Sequence, residues 1–408
     1  MTVCGIGRGS SVRPRRVRIL SHAVLAMAAS ATAACDPLTG VGRGGGGGGP
    51  SAPVQWQQVA AGQQQTCAMT VTATAFCWGT NDHGEIGDGT PVTFRPTPVS
   101  VAGGRLFASL TAGASHSCGV ASDSAAFCWG LNLLGQLGDG TTTDRRAPAA
   151  VAGGLVFASL SAGASHTCGV TTAQTAYCWG DNSTGALGVG DTTGRVRPTL
   201  VGGFLSFASV SAGDWPGASH SCGLTPAGAA YCWGENALGE LGVGDSIRRT
   251  TPAIVSRLLT FDSVSAGGLH SCALASAGVA YCWGGNSFGQ LGVGDTTRRL
   301  TPVVVSGLLV FASLSAGGSH TCALAPSGAA YCWGLNVFGQ LGVGDTINRL
   351  TPVAVVGGLQ FASLSAGWGH TCGITVDGSL YCWGRDFEGQ LGDGFTTNRS
   401  RPVAVRNP

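Results

Sequence analysis

The chain has no lysine, and only 10% of its 408 residues are charged. It contains no stretch with a sustained 3.6-residue apolar period, so helices have no natural place in it. Beyond its first 35 residues no apolar run is long enough to cross a bilayer as a helix. Neither a His-Glu-x-x-His metal helix nor a phosphate-binding loop occurs. All positive charge is arginine. Five of the 22 basic residues precede Cys35 and none of the 20 acids does, so the chain from Cys35 onward carries 17 Arg against 20 acids, a net charge of −3. Such a balance gives no electrostatic footprint for nucleic acid.

What the chain does have is a repeat. Cys-Trp-Gly recurs at Cys77-Trp78-Gly79, Cys128-Trp129-Gly130, Cys178-Trp179-Gly180, Cys232-Trp233-Gly234, Cys282-Trp283-Gly284, Cys332-Trp333-Gly334 and Cys382-Trp383-Gly384, in steps of 51, 50, 54, 50, 50 and 50 residues. The long step comes from the extra residues Asp214-Trp215-Pro216-Gly217. Each copy holds four short apolar or β-branched runs separated by Gly, Asn, Asp and Pro, the pattern of four strands. One such sheet cannot bury both faces alone, whereas seven arranged radially can. The fold class expected is all-β: a seven-bladed β-propeller of four-stranded antiparallel blades. Glycine is abundant, 69 residues, but much of it sits at fixed repeat positions where turns need positive φ.

Of the 16 cysteines, 14 form pairs ten residues apart: Cys67 and Cys77, Cys118 and Cys128, Cys168 and Cys178, Cys222 and Cys232, Cys272 and Cys282, Cys322 and Cys332, Cys372 and Cys382. If Cys372 faces Cys382 in an antiparallel hairpin, Thr375 faces Ser379 across Val376-Asp377-Gly378. That is a three-residue loop with Gly in the left-handed position. Each pair then lies directly opposite on one face, within disulfide range. Two thiols per site do not complete a zinc tetrahedron, so intrablade disulfides and an oxidising compartment are expected. Ala73, Ser124 and Gln174 replace the loop Gly in the first three repeats, and turns of different shape are expected there. Trp and Tyr of one blade are expected against the disulfide face of its neighbour.

The N-terminus reads as a targeting segment. Arg8, Arg13, Arg15, Arg16 and Arg18 precede a short apolar stretch, Ile19 to Ala31, that ends in Thr32-Ala33-Ala34-Cys35. Small residues directly before Cys resemble the bacterial lipoprotein signal, which implies lipidation of Cys35; the alternative is ordinary secretory cleavage with Cys35 incidental. The expected organisation is a lipoprotein-type signal peptide over 1–34, a Gly-rich tether over 35–53, and the propeller over 54–408. The protein is then exported to the cell envelope and meets the membrane only through its anchor.

Leu314-Ser-Ala-Gly317-Gly-Ser-His320 followed by Tyr331-Cys-Trp-Gly334-Leu-Asn336-Val-Phe-Gly339-Gln-Leu-Gly342 resembles the regulator of chromosome condensation repeat, and the likeness covers about residues 54–408. It implies a seven-bladed propeller. Members include a chromatin-bound exchange factor, out of reach of an exported chain. They also include a plant ultraviolet-B photoreceptor, whose Gly-Trp-Arg-His-type motif is approached only by Gly367-Trp368-Gly369-His370, without the Arg. Secreted bacterial members include a protein inhibitor of β-lactamase, nearer in compartment.

Function is sought where repeats differ. His116, His166, His220, His270, His320 and His370 recur, with Gln65 in the first copy, so a repeated structural hydrogen bond is expected instead of a metal ring. No metal and no cofactor is expected. The binding candidates are Asp214 and Trp215 in the insertion, Trp368 in the matching loop of the seventh repeat, and Glu235 and Arg385 just after Trp-Gly. Together they suggest a monomeric scaffold whose rim recognises a protein partner, or a glycan. The competing reading is a secreted lyase or hydrolase with an unrecognised rim pocket.

Overall fold

The computed structural model describes residues 54–217 and 219–408. The expected signal peptide, Cys35 and the tether lie outside the described residues. Within them are seven four-stranded antiparallel sheets, each built from consecutive strands. In the third blade the strands are Phe157–Ala162, His166–Thr171, Ala176–Gly180 and Arg195–Leu200. Among the described residues no strand is exchanged between the first and last blades. The ring closes through bonds between whole blades, among them the Trp56 amide to the Gly378 carbonyl at 3.0 Å and the Gly394 amide to the Pro96 carbonyl at 3.0 Å.

The hairpin register is as the cysteine spacing requires. Cys372 pairs with Cys382 and Ile374 with Leu380. All seven disulfides are formed, each with a Cα–Cα separation of 4.1 Å. Each closes a short local loop, which limits its contribution to about 3 kcal/mol. The expectation of different turns in the first three blades does not hold. Ala73, Ser124 and Gln174 adopt φ of 64°, 66° and 61°, the same left-handed conformation that Gly378 takes at 80°. With the disulfide register and a three-residue loop the last loop residue is left-handed in these blades, so these side chains accept strain of about 1 kcal/mol each.

The core lies between blades. Cys118, Val120, Cys128 and Leu137 of the second blade enclose Phe157 and Trp179 of the third. In the same way Cys372, Ile374 and Cys382 of the seventh meet Trp56 and Trp78 of the first. All seven Trp of the Cys-Trp-Gly motif are fully buried. Six of them donate Nε1–H to a carbonyl of the preceding blade, for example Trp179 to Gln136 at 3.0 Å and Trp78 to Gln390 at 2.9 Å. Burying ~200 Å² of indole is worth about 5 kcal/mol, more than the local disulfide, so packing dominates the hold of blade on blade. The exposed outer strand of each blade carries proline, such as Pro198 and Pro302, which blocks edge-to-edge pairing.

Alternation of strand direction gives the disc two ends. The upper end carries the loops from first to second and from third to fourth strands. The lower end carries the tight hairpin turns and the connections between blades.

Candidate interaction face

At the axis, on the upper end, the seven blades meet through glycine. The residue after each axial Gly donates its amide to the next axial carbonyl: Gln63 to Gly113, Ala114 to Gly163, Ala164 to Gly213, Gly268 to Gly317, Gly318 to Gly367 and Trp368 to Gly62, at 3.0–3.2 Å. A Cβ on Gly113 would fall 2.2 Å from the Gly163 carbonyl oxygen, and one on Gly367 would fall 2.3 Å from that of Gly62. Only glycine permits so close an approach of backbones. The one blade without the counterpart bond is the fourth, where Asp214 opens the insertion.

The six histidines form a second belt beneath the first. His116 Nε2 lies 2.8 Å from Thr167 Oγ1, His166 from Ser221 Oγ, and so on around the ring to His370 and Thr66. Each hydroxyl spends its single proton on a backbone carbonyl of the preceding blade around the ring, as Thr167 does on Gln136 and Thr66 on Gln390, both at 2.8 Å. The hydroxyl must therefore accept from the histidine, which fixes the neutral Nε2–H tautomer. Burial pushes these imidazoles down to about 3, and His166 to about 4. Gln65 takes the place of a seventh, donating to the carbonyls of Gly113 and His116. These residues are ties between blades, as the recurring pattern suggests. Among the described residues no three His, Cys, Asp or Glu side chains gather as a metal site would need.

The candidate rim residues fall into two separate groups. In the fourth blade the Glu235 amide bonds to the Ser219 carbonyl at 3.0 Å, and Ser219 Oγ donates to the Trp215 carbonyl at 3.1 Å. The Trp215 ring is half-buried. Glu235 is engaged by Arg248 at 2.6 Å and caps the amides of Asn236 and Ala237. Asp214 has a buried Oδ1 with no hydrogen-bond partner, and loss of solvation raises its carboxyl to about 7.

In the seventh blade Trp368 and Arg385 meet, the guanidinium 5.7 Å from the ring centre and 5.1 Å from that of Phe387. Phe338 of the sixth blade completes the cluster, 6.3 Å from Trp368 and 5.9 Å from Phe387. Glu388 holds Arg385 from the side at 2.8 Å. Beside it is a pocket of about 230 Å³, lined by Phe387, Glu388 and Thr396 and, across the ring closure, by Thr80, Asp82 and Phe94. Phe338, Phe387 and Phe94 were missed in the sequence. Aligning the fourth residue after each Trp-Gly would have shown the variable aromatic at Phe338. Nothing local points to Phe94, which reaches the pocket only because the ring closes.

The loop bearing Arg385 and Phe387 contains a further departure from the repeat. Six blades place a buried Asn two residues after Trp-Gly. Its Nδ2 donates to neighbouring oxygens, as Asn286 does to the Asp295 and Thr297 carbonyls at 2.9 and 3.1 Å. The seventh blade has Asp386 there, fully buried, with Oδ2 unpartnered. Desolvation raises its carboxyl to about 7, with the Asp393 carboxylate adding to the effect and Arg399 opposing it.

The upper end is also the acidic end. Its loops hold 16 of the chain's 20 acids and three arginines. Seven of those acids, such as Asp295 with Arg299 at 2.6 Å, pair with the arginine near the start of their own fourth strand. Of the remaining nine, Glu235 and Glu388 pair with Arg248 and Arg385, Asp144 lies against His83, Glu85, Glu240 and Asp386 are buried, and Asp82, Asp181 and Asp214 are left. One Gly-x-Ser-x-Gly pattern occurs here, Gly285-Asn-Ser287-Phe-Gly289, but it lies in a loop between strands and not on the strand-to-helix turn of a hydrolase nucleophile.

Comparison with known proteins agrees with this geometry. The family model for the RCC1-like domain matches residues 49–311. Models for the regulator of chromosome condensation (RCC1) repeat match 311–340, 361–390, 327–374 and 377–408. A human protein described as probable E3 ubiquitin-protein ligase HERC4 is 35% identical over 94 residues, 22% of this chain and 9% of the relative. The match thus spans about a tenth of that protein. Among solved structures, human WBSCR16 superposes with a TM-score of 0.74 at 21% identity, covering 82% of this chain and 94% of that one. Yeast RCC1 (Prp20), solved bound to Kap60, gives 0.71 at 21% identity over 81% and 83%. At such identity these structures establish the fold alone.

Proposed function

The chain belongs to the RCC1-like domain family, and from that premise we propose that it is an exported, lipid-anchored scaffold that grips a protein partner through the upper end of its disc. Seven disulfides mark an oxidising compartment outside the cytoplasm. The targeting pattern ending at Cys35 supports export and anchoring. A yeast protein of the same fold, RCC1 (Prp20), was solved bound to another protein, Kap60.

The observation that carries the reading is the aromatic cluster of Phe338, Trp368 and Phe387 around Arg385, opening onto the pocket of Phe94 and Asp82. Aromatic and Arg side chains in one half-buried patch are the usual anchors of binding energy. Asp82 forms no ion pair among the described residues, and it lines the pocket together with Phe94 and Phe387. A lysine or arginine of the partner would gain both the carboxylate and the ring faces there.

Crosslinking and pull-down with the lipidated chain in its own envelope tests this. Trp368→Ala and Phe387→Ala should each cut the captured partner about tenfold or more, while Trp215→Ala should leave it within about threefold. Undiminished capture by both blade-seven variants would move the interface elsewhere. Release of the captured species by glycosidase, with protease without effect, would make the ligand a glycan.

A further inference from the structure

The lower end of the disc differs in kind from the upper. Its hairpin turns and interblade connections contain four charged residues, Arg105 and Arg257 against Asp123 and Asp377, with no net charge. Three consecutive connections, those leaving the third, fourth and fifth blades, present Phe204, Leu258 and Leu308 at 103%, 95% and 101% exposure. The residue after each packs inward: Leu205, Leu259 and Leu309 join the interblade core. Phe204 and Leu308 hold φ of 53°, where the other connections place Gly104, Gly154 and Gly358 at 59°, 63° and 66°. A large apolar side chain, fully in water and in a left-handed conformation, is doubly unfavourable. Nothing within the disc gains from it. Half-exposed Val156, Leu200, Val304 and Val310 extend the apolar arc around these tips.

The described chain also begins at this end. The Gln55 carbonyl accepts from Val71 in the first hairpin turn, and the Trp56 amide donates to Gly378 in the seventh. The described chain therefore enters the disc at the end that carries the apolar tips, where charges of both signs cancel.

We propose that the lower end rests on a lipid bilayer, with Phe204, Leu258 and Leu308 inserted into its interface. Separate protruding tips on a face without net charge suit a fluid surface. Beside a lipid anchor the three tips are a second, independent membrane signal, each inserted apolar side chain adding to the attachment. This orientation leaves the acidic, aromatic upper end facing away from the membrane. It rests on the anchoring part of the functional reading only for the identity of the first signal.

Vesicle flotation on phosphatidylcholine tests the proposal, using the exported chain with Cys35→Ser so that no lipid is attached. That chain should float, and binding should be insensitive to salt because charge plays no part. Phe204→Gly, Leu258→Ser and Leu308→Gly together should lower the bound fraction about tenfold. Because the two glycines relieve the backbone, Tm should be unchanged or higher, which separates lost insertion from lost folding. Failure of the Cys35→Ser chain to float, or equal flotation of the triple variant, would overturn the proposal. So would binding to native envelope vesicles that protease treatment of the vesicles abolishes, since the occupant would then be a protein. If the wild-type chain carries no acyl group yet floats, the anchor fails and the docking face stands.

Discussion

The upper rims of blades four and seven show two ways of placing a tryptophan in the same loop. Blade seven substitutes: Trp368 occupies an ordinary repeat position, and its amide still completes the axial belt by bonding to Gly62 at 3.1 Å. Blade four inserts: Asp214-Trp215-Pro216-Gly217 lengthens the loop, and the belt bond is lost. Substitution keeps the backbone rigid, so Trp368 is pre-organised against Phe338, Arg385 and Phe387. Insertion leaves Asp214 with a buried, unpartnered Oδ1 and a Glu235 already spent on Arg248. A rigid aromatic set costs less ordering entropy on binding, and this is why the partner site is proposed in blade seven.

The belt itself offers the strongest test of that contrast. Gly367→Ala would drive a methyl to 2.3 Å from the Gly62 carbonyl, and Gly213→Ala to 2.7 Å from that of Gly267. The first should cost about 3 kcal/mol, and the second, beside a loop free to shift, about 1 kcal/mol. Equal losses in thermal or denaturant unfolding would mean that the insertion is as rigid as the belt.

A smaller effect should separate the two blades by pH. Asp386 has its carboxyl raised to about 7 from an ordinary value of 3.8. Between those limits the folded chain holds a proton that the unfolded chain has lost, so folding stability falls as pH rises from about 4 to 7 and levels off above. Asp386→Asn restores the donor that six other blades use. It should add about 2 kcal/mol at pH 8 and almost nothing at pH 4. Asp214→Asn should shift stability in the same direction by less, because its loop can open to water. A calorimetric series from pH 4 to 8 checks both, and a gain independent of pH would show that neither carboxyl titrates in that window.

The smallest effect is expected at Glu235. Its ion pair with Arg248 is half-exposed on the arginine side, so Glu235→Gln should change stability by less than about 1 kcal/mol. A larger loss would indicate that the pair, with its caps on Asn236 and Ala237, organises the blade-four rim after all.

Much of this protein is legible in one repeat read carefully. The ten-residue cysteine spacing, with Gly378 in the turn, fixes a hairpin register, and register fixes which residues share a face. The burial of Trp383 against the neighbouring disulfide follows from it. The turns at Ala73, Ser124 and Gln174 did not follow, because propensity favours Gly there and the disulfide overrides it. The rim was half legible. Trp368 and Arg385 stand out by variation, but their partners Phe338 and Phe94 come from the adjoining blades on either side of blade seven. Asp386 is visible as a departure from Asn, while its meaning depends on the oxygens packed around that position.

By itself, then, the sequence determined the number of blades, the strand pairing inside each and the disulfides, because hairpins of this length are settled by local geometry. Only the tertiary structure decided what meets across a blade boundary: the axial glycine belt, the histidine-to-hydroxyl ties, the pocket spanning the ring closure, and the segregation of acids to one end and apolar tips to the other. Those relations join residues about fifty positions apart, or three hundred at the closure, and they exist only once seven sheets have packed into a ring.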